Sequence, residues 1–268
     1  MYNEFKELNL KANLQDKYVA FIDVMGFTNL VNKGSIESLE SYFTEITKIL
    51  YDISVVKSQI ESLLISDSII LIARDDSYSF RQLLTAIRKI QSALLLKKIL
   101  IRVAVSFGQI YYEPYKNIIV GKGYIKAYLL EGEAIYPRII IDPSIIKKFG
   151  QDKMDFLYQI NGHQDYINGD KLIYTKSKYS QINDDGIFVD YADKMISQSE
   201  INTSLKKVYD VLVENLYGEQ KLYSKYVWLR DYFIECLNES ISFGSNKTKT
   251  AQNYHSKLQE WKEKFERL

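Results

Sequence analysis

The chain has few of the residues from which many catalytic and structural sites are built. Its 268 residues include one cysteine, Cys236, and two histidines, His163 and His255. A single cysteine forms no intrachain disulfide and no thiolate zinc centre, and two histidines argue against a histidine-built metal site or acid–base dyad. Three prolines and twelve glycines argue against long disordered regions.

Charge and apolar runs exclude further classes of protein. The formal net charge is +1 and no basic stripe is evident, which argues against binding nucleic acid through a broad electrostatic footprint. The first eleven residues lack the apolar segment of a secretory signal, and the longest apolar runs, such as 68–73, are too short to cross a bilayer. We therefore expect a cytoplasmic protein without a membrane partner.

The first 142 residues alternate short apolar runs with helical periodicity. Strands are predicted at 18–24, 60–65, 68–73, 100–106, 108–112 and 138–141, and helices from 27, from 39, from a capping box at Ser79 and Gln82, and over 121–131. The order β-α-α-β-β-α-β-β-α-β predicts an α+β fold, ferredoxin-like, with an antiparallel-rich sheet and helices on one face.

The character of the sequence changes after Pro143. Residues 150–200 are polar and predicted to be loop-rich, with one strand at 186–191, and three amphipathic helices follow. Trp228, Trp261 and Cys236 lie on the apolar stripes of these helices and are interpreted as packing residues. The predicted division is an N-terminal segment 1–16, a main domain 17–142 and a mainly helical C-terminal extension 143–268, with a mobile link at 242–253.

Two aspartates end apolar strands beside tight turns. Asp23 lies in 21–28, which reads Phe-Ile-Asp-Val-Met-Gly-Phe-Thr, and Asp67 lies on the turn of the predicted hairpin. Mg²⁺ and Mn²⁺ prefer oxygen ligands, usually one or two carboxylates plus substrate phosphates. Backbone N–H groups from Met25 to Thr28 would face phosphate oxygens at a helix N-terminus. Each aspartate alone is an ordinary turn former, but their joint placement favours a metal and triphosphate site.

Four segments resemble, in order, the motifs of class III nucleotidyl cyclases. Segment 21–28 resembles the first metal motif, Ser66-Asp67 the second, 102–108 the strand that begins with arginine, and 121–131 the helix that carries transition-state residues in that family. The resemblance covers about half of the chain and implies that 17–142 is the catalytic domain.

The resemblance also implies the parts of the active site. Two divalent cations, Mn²⁺ or Mg²⁺, would be held by Asp23, Asp67 and the Val24 carbonyl, and the 3′-hydroxyl of a nucleoside triphosphate would attack its own α-phosphate. The residues assigned to the substrate are Phe21, Met25, Gly26, Phe27, Thr28, Leu63, Ile118 and Tyr128. In this family the sites form at a head-to-tail homodimer interface, and both subunits complete each site.

Several family positions are altered in this chain. Ile125 and Leu129 stand where a transition-state asparagine and arginine are usual, and Leu63 and Ile118 stand where purine-reading side chains are usual. Stabilising charge must then come from elsewhere, with Arg102 the first candidate and Arg138 and Lys122 the others. An ion pair within the fold is the alternative role of Arg102, and an exposed surface position that of Lys122.

The motifs with these altered positions are similar to those of the pyrimidine cyclases of bacterial Pycsar antiphage systems. The similarity includes Tyr-Pro-Arg-Ile at 136–139 and Lys-Tyr-x-Trp-Leu at 225–229. It implies synthesis of cUMP or cCMP, which would act on a separate effector. Three alternatives stay open: an adenylate or guanylate cyclase, a nucleotide-binding pseudocyclase, and a scaffold that acts through its C-terminal helices.

Overall fold

The computed structural model describes residues 10–55, 60–162, 171–176, 182, 186–196, 201–243 and 249–268. His163, most of the predicted N-terminal segment and the middle of the predicted mobile link lie outside these ranges. None of the described helices is both long enough and apolar enough to span a membrane.

Six strands and eleven helices make up the described part of the fold. The strands are β1 Gln15–Val24, β2 Ile60–Ile65, β3 Ser68–Arg74, β4 Ile101–Glu113, β5 Ile118–Val120 and β6 Ile139–Ile141. The helices are α1 Leu10–Asn13, α2 Phe27–Lys33, α3 Ile36–Val55, α4 Ser77–Leu95, α5 Lys122–Glu133, α6 Ile146–Phe149, α7 Lys153–Asn161, α8 Ala192–Ile196, α9 Ile201–Asn215, α10 Gln220–Phe243 and α11 Lys249–Glu266. Short 3-10 turns lie at Pro114–Lys116 and Pro143–Ile145. The predicted α+β class and element order are confirmed.

The sheet has the strand order β2-β3-β1-β4-β5, and β6 pairs with β4. All pairs are antiparallel except β4 with β6, which is parallel. Strand β1 is central and buried over Tyr18–Ile22, as expected of an apolar run covered on both faces. The end of β1 therefore lies between the ends of β3 and β4.

Helices cover both faces of the sheet, so the prediction of helices on one face is wrong. Ile22 on β1 faces a core that includes residues of α3 and α4, such as Ile46 and Leu83. Phe21 points to the opposite face, where it belongs to a smaller apolar cluster with Ala127 of α5. The alternation of a strand separates these two environments by one residue.

The predicted strand pair 100–106 and 108–112 is wrong. Strand β4 runs without a turn from Ile101 to Glu113 and pairs with β1 as far as Gln15 opposite Ile110. Its other partners are β5 and the parallel strand β6. Gly108 does not form a turn but allows β4 and α5 to approach closely. A Cβ at this position would lie 3.1 Å from the backbone nitrogen of Gly123 on α5.

Three smaller predictions also need correction. Asp76, not Ser79, caps α4, since its carboxylate accepts from the Ser79 backbone N–H at 2.7 Å. The predicted strand at 186–191 forms only isolated bridges, through Phe188 and Val189. The loop-rich prediction for 150–200 missed α7 and α8.

The three predicted C-terminal helices are confirmed as α9, α10 and α11. Trp228 and Trp261 are buried as predicted, and Trp228 stacks on Tyr136 with ring centroids 5.5 Å apart. Cys236 is also buried, and burial raises the pKa of its thiol. Because Tyr136 precedes β6, this stacking joins the start of the sheet's parallel strand to α10.

Candidate active site

The end of β1 carries Asp23 and runs into a turn tied to the neighbouring strand. The Met25 N–H donates to the carbonyl of Leu100 at 2.8 Å, just before β4. Gly26 adopts a φ of +79°, a left-handed conformation that favours glycine, and space is open where a Cβ would lie. The Met25 N–H is therefore engaged, so the expectation that it faces a phosphate is wrong for this residue.

Asp67 lies at the same edge of the sheet as Asp23. The turn between β2 and β3 places Ser66 at a φ of 56°, and Asp67 follows it. Strands β1 and β3 pair with Ile22 opposite Ile69, so continuing this register brings Val24 beside Asp67. Both predicted carboxylates thus stand at adjoining strand ends.

Tyr42 on α3 is affected by the charges of both Asp67 and Asp23. Its ring is buried, and its hydroxyl has no hydrogen-bond partner among the described residues. Burial, together with the charges of Asp67 and Asp23, raises the pKa of Tyr42 to about 12. Both aspartates therefore lie close enough to Tyr42 for their charges to affect its hydroxyl.

The donor set at this point suits a hard divalent cation only in part. Two carboxylates are offered, and no group of three or more His, Cys, Asp and Glu side chains suited to a metal lies within the described ranges. Mg²⁺ commonly keeps waters and substrate phosphates as its other ligands. Asp23 and Asp67, with the nearby Val24 carbonyl, fit such a substrate-dependent site.

Arg102 connects Asp23 to helix α5. It stands opposite Asp23 in the β1–β4 register, and its Nη2 donates to Asp23 Oδ2 at 2.8 Å. Its Nε lies 2.8 Å from Glu131 Oε1, an ion pair in which the N–H is not aimed at the oxygen. Burial raises the pKa of Glu131, Arg102 opposes this rise, and Asp23 adds to it. Arg102 is thus part of an ion-paired chain of three groups.

The other two predicted cations lie in different settings. Lys122 is exposed at the start of α5. The guanidinium of Arg138 lies over the ring of Tyr136, 5.5 Å from its centroid. The described geometry does not link either of them to Asp23.

A cavity of about 360 Å³ opens beside Asp23. Its lining consists of Asp23, Met25, Gly26, Lys98, Leu100, Arg102, Glu219, Lys221, Leu222, Lys225 and Tyr226. Four basic side chains face two carboxylates, so the cavity favours an anion. Asp67 is not part of this lining, so the cavity extends from Asp23 toward α10.

Sequence reasoning missed the lysines of this cavity. Lys98 lies after α4, and Lys221 and Lys225 lie in the first two turns of α10. Burial and the charge of Arg102 lower the pKa of Lys225, while Asp23 opposes the change. The one signal in the sequence was the 225–229 segment, which the resemblance had singled out without giving it a role.

The predicted substrate residues fall into separate groups. Phe21 is buried and meets the ring of Tyr128 edge-on at 5.3 Å, and Leu63 lies in the same apolar cluster as Phe21. Phe27 packs on Tyr42 at 5.7 Å, while Thr28 is exposed.

Ile118 lies far from the aspartates within one chain. It pairs with Glu113 at the far end of β4, eleven residues beyond Arg102. At about 3.3 Å per residue, roughly 36 Å of strand separates the two ends. A single chain therefore cannot bring Ile118 to Asp23.

No protein-family model matches this sequence, and no curated protein matches it. The structure is similar to solved structures of nucleotide cyclases. The guanylyl cyclase Cya2 is 12% identical at a TM-score of 0.45, over 66% of this chain and 91% of that one. The adenylyl cyclase CyaB from P. aeruginosa is 16% identical at a TM-score of 0.37, over 66% and 94%.

A third similar structure is the catalytic core of a rhodopsin-guanylyl cyclase with converted specificity, in complex with ATPαS. It is 14% identical at a TM-score of 0.44, over 66% of this chain and 96% of that one. At such identities and TM-scores, the similarity decides neither the family nor the activity of this chain.

Proposed function

We propose that this protein is a class III nucleotide cyclase that converts UTP or CTP into its 3′,5′-cyclic monophosphate and pyrophosphate. The observation that carries the proposal is the position of Asp23 and Asp67 at the adjoining ends of β1 and β3, with a basic cavity beside Asp23. Two carboxylates next to an anion-binding cavity suit a polyphosphate that arrives with divalent cations.

The reaction is an intramolecular displacement at phosphorus. The 3′-oxygen forms a bond to the α-phosphorus, the bond from that phosphorus to the bridging oxygen of the β-phosphate breaks, and pyrophosphate leaves. The proton of the 3′-hydroxyl passes to solvent. Two Mn²⁺ or Mg²⁺ ions held by Asp23, Asp67 and the Val24 carbonyl would supply charge neutralisation and a lowered hydroxyl pKa.

The residues of this chain supply binding and orientation. Asp23 Oδ2 is held by Arg102, which fixes the carboxylate at the strand end. Met25 and Gly26 line the cavity beside it, and the bond from the Met25 N–H to Leu100 holds their turn in place. This arrangement positions the α-phosphate near Asp23 before the reaction begins.

The pyrimidine preference rests on the resemblance and on two apolar side chains. Leu63 is nearly buried against Phe21, and Ile118 on β5 is aliphatic, so neither offers a hydrogen bond to a purine edge. A pyrimidine is smaller than a purine and would fit without side chains that form hydrogen bonds to a purine edge. The segments 136–139 and 225–229 support the same assignment and the accompanying role in cytoplasmic antiphage signalling through a separate effector.

The proposed enzyme is a head-to-tail homodimer. Ile118 lies at the opposite end of the sheet from Asp23, so a base reader at this position would serve the site of a second subunit. Helix α5 offers a surface for that contact, since Ile125, Tyr128 and Leu129 are exposed on one side of it. Each site would then take its aspartates from one subunit and its base contacts from the other.

The test is incubation of the purified protein with ATP, GTP, CTP and UTP and Mn²⁺, with products resolved by mass. We expect cUMP or cCMP from the wild type and none from Asp67→Asn. The matched control is Asp75→Asn, at an aspartate that directly follows the end of β3 and pairs with Lys148 at 2.7 Å. It should keep wild-type activity.

Other products would change the assignment. A cyclic purine nucleotide would make the protein an adenylate or guanylate cyclase. Absence of any cyclic product, with nucleotide binding retained, would favour a pseudocyclase. Equal activity in Asp67→Asn and wild type would remove Asp67 from the mechanism and contradict the proposed pair of metal ligands.

A further inference from the structure

Helix α10 of the C-terminal extension closes one side of the cavity beside Asp23. Its first turns contribute Lys221, Leu222, Lys225 and Tyr226 to the lining. Lys221 and Lys225 are four residues apart and project from the same side of the helix. The extension therefore brings two ammonium groups to the end of β1.

Apolar contacts fix this end of α10 in place. Tyr226 is buried, and Leu222 packs against the main hydrophobic core. Trp228, two residues after Tyr226, stacks on Tyr136 with a 5° angle between the rings. Leu229 is fully buried as well. Because cores are closely packed, the start of α10 cannot move away from the cavity without disturbing these contacts.

The Lys225 ammonium has no ion-pair or hydrogen-bond partner among the described residues. Asp23 already accepts a hydrogen bond from Arg102, and Glu219 is the other carboxylate in the lining. Lys98 is paired with Glu214 at 2.5 Å, outside the lining. An unpaired, partly buried ammonium beside a guanidinium is stabilised by an incoming anion.

We infer that Lys225 and Lys221 bind the β- and γ-phosphates of the nucleoside triphosphate, so that the C-terminal extension completes the active site of its own chain. This inference rests on the proposed function. Lysine presents three donors as a compact charge, which suits unesterified phosphate oxygens. When the bond to the α-phosphorus breaks, the departing pyrophosphate gains negative charge that the two ammonium groups stabilise.

This assignment accounts for an altered position on α5. Leu129 stands where the resemblance expects a charged residue, and its aliphatic side chain carries no charge. A cation that approaches from α10 makes a cation from α5 unnecessary. The long helical extension then has a catalytic purpose beyond packing.

Three variants test the inference. Lys225→Met removes the charge and keeps the apolar stem, Lys225→Arg keeps the charge, and Lys207→Met on α9 is the control at an exposed lysine outside the cavity lining. Isothermal titration calorimetry would measure binding of UTP, tripolyphosphate and UMP, each with Mg²⁺. Steady-state kinetics with UTP and thermal unfolding complete the set.

We expect Lys225→Met to weaken binding of UTP and tripolyphosphate roughly 10- to 100-fold. Binding of UMP, which lacks the β- and γ-phosphates, should change by less than about twofold. Lys225→Arg should recover most of the affinity, and Lys207→Met should match wild type. A purely structural role of Lys225 would not separate UTP from UMP in this way.

The outcomes distinguish the inference from the proposed function. Wild-type affinity for tripolyphosphate in a folded Lys225→Met variant, with cUMP or cCMP still produced, overturns the inference alone. Weakened tripolyphosphate binding in a protein that yields no cyclic nucleotide supports the phosphate site and overturns the proposed function. A wild-type protein that binds neither UTP nor tripolyphosphate overturns both.

Discussion

Arg102 and Asp23 stand directly opposite each other on β4 and β1, and the guanidinium donates to Asp23 Oδ2 at 2.8 Å. The same guanidinium lies 2.8 Å from Glu131 on α5. One arginine thus joins a proposed metal ligand to a buried carboxylate. A divalent cation at Asp23 would have to share this carboxylate with Arg102, so the strength of the ion pair bears on metal affinity.

The first prediction concerns the ion pair between Arg102 and Glu131. Arg102→Met leaves the buried Glu131 without its counter-ion, so we expect the free energy of unfolding to fall by roughly 2–3 kcal/mol. Urea denaturation of purified variants measures this. The double variant with Glu131→Gln should recover a large part of the loss, because the uncompensated charge is gone. Equal stability of Arg102→Met and wild type would show that Glu131 does not depend on Arg102.

The second prediction concerns the exposed side of α5. Ile125, Tyr128 and Leu129 are 50%, 52% and 65% exposed, and their spacing places them on one face. We expect Leu129→Lys to convert a dimer to a monomer in light scattering after size-exclusion chromatography, and to reduce cyclic nucleotide synthesis at least about tenfold, because a buried interfacial charge costs several kcal/mol.

The control for the α5 surface is Val213→Lys. Val213 is also an aliphatic residue on a helix surface, 51% exposed on α9. This variant should keep both the dimer and its activity. A wild-type protein that is monomeric during turnover would contradict the proposed shared site, whatever the behaviour of Leu129→Lys.

The third prediction concerns Asp193 in the C-terminal extension. Its Oδ2 has no hydrogen-bond partner among the described residues. Burial, with the charge of Asp190, raises the pKa of Asp193 from 3.8 to about 7, while Lys171 and Arg88 oppose the rise. Between these two values the folded state binds more protons than the unfolded state. Stability therefore falls as the pH increases through this window.

Replacement of Asp193 by asparagine removes the free-energy cost of ionising this carboxyl group in the folded state. We expect Asp193→Asn to raise the free energy of unfolding by roughly 1–2 kcal/mol at pH 8 and to change it little at pH 4, as urea titrations at both values would measure. The same gain at both pH values would show that the effect comes from packing and not from the charge.

Local patterns were sufficient for much of the sheet. The apolar run that ends at Asp23 and the two runs around Ser66 and Asp67 are β1 and the β2–β3 hairpin. The prediction for β4 was wrong because a glycine can mark either a turn or a close approach between two backbone segments. Gly108 looks like a turn residue in the sequence, and only the approach of Gly123 reveals that it makes room for α5.

The sequence by itself determined the strand-end position of Asp23 and Asp67, since alternation and turn chemistry act over a few residues. Tertiary structure alone decided that Arg102 pairs with Asp23 and that Lys225 lines the same cavity. The physical reason is that apolar periodicity shows which face of a helix is buried but not what covers it. The stacking of Trp228 on Tyr136 positions α10 against the sheet, and this position places Lys225 near the end of β1.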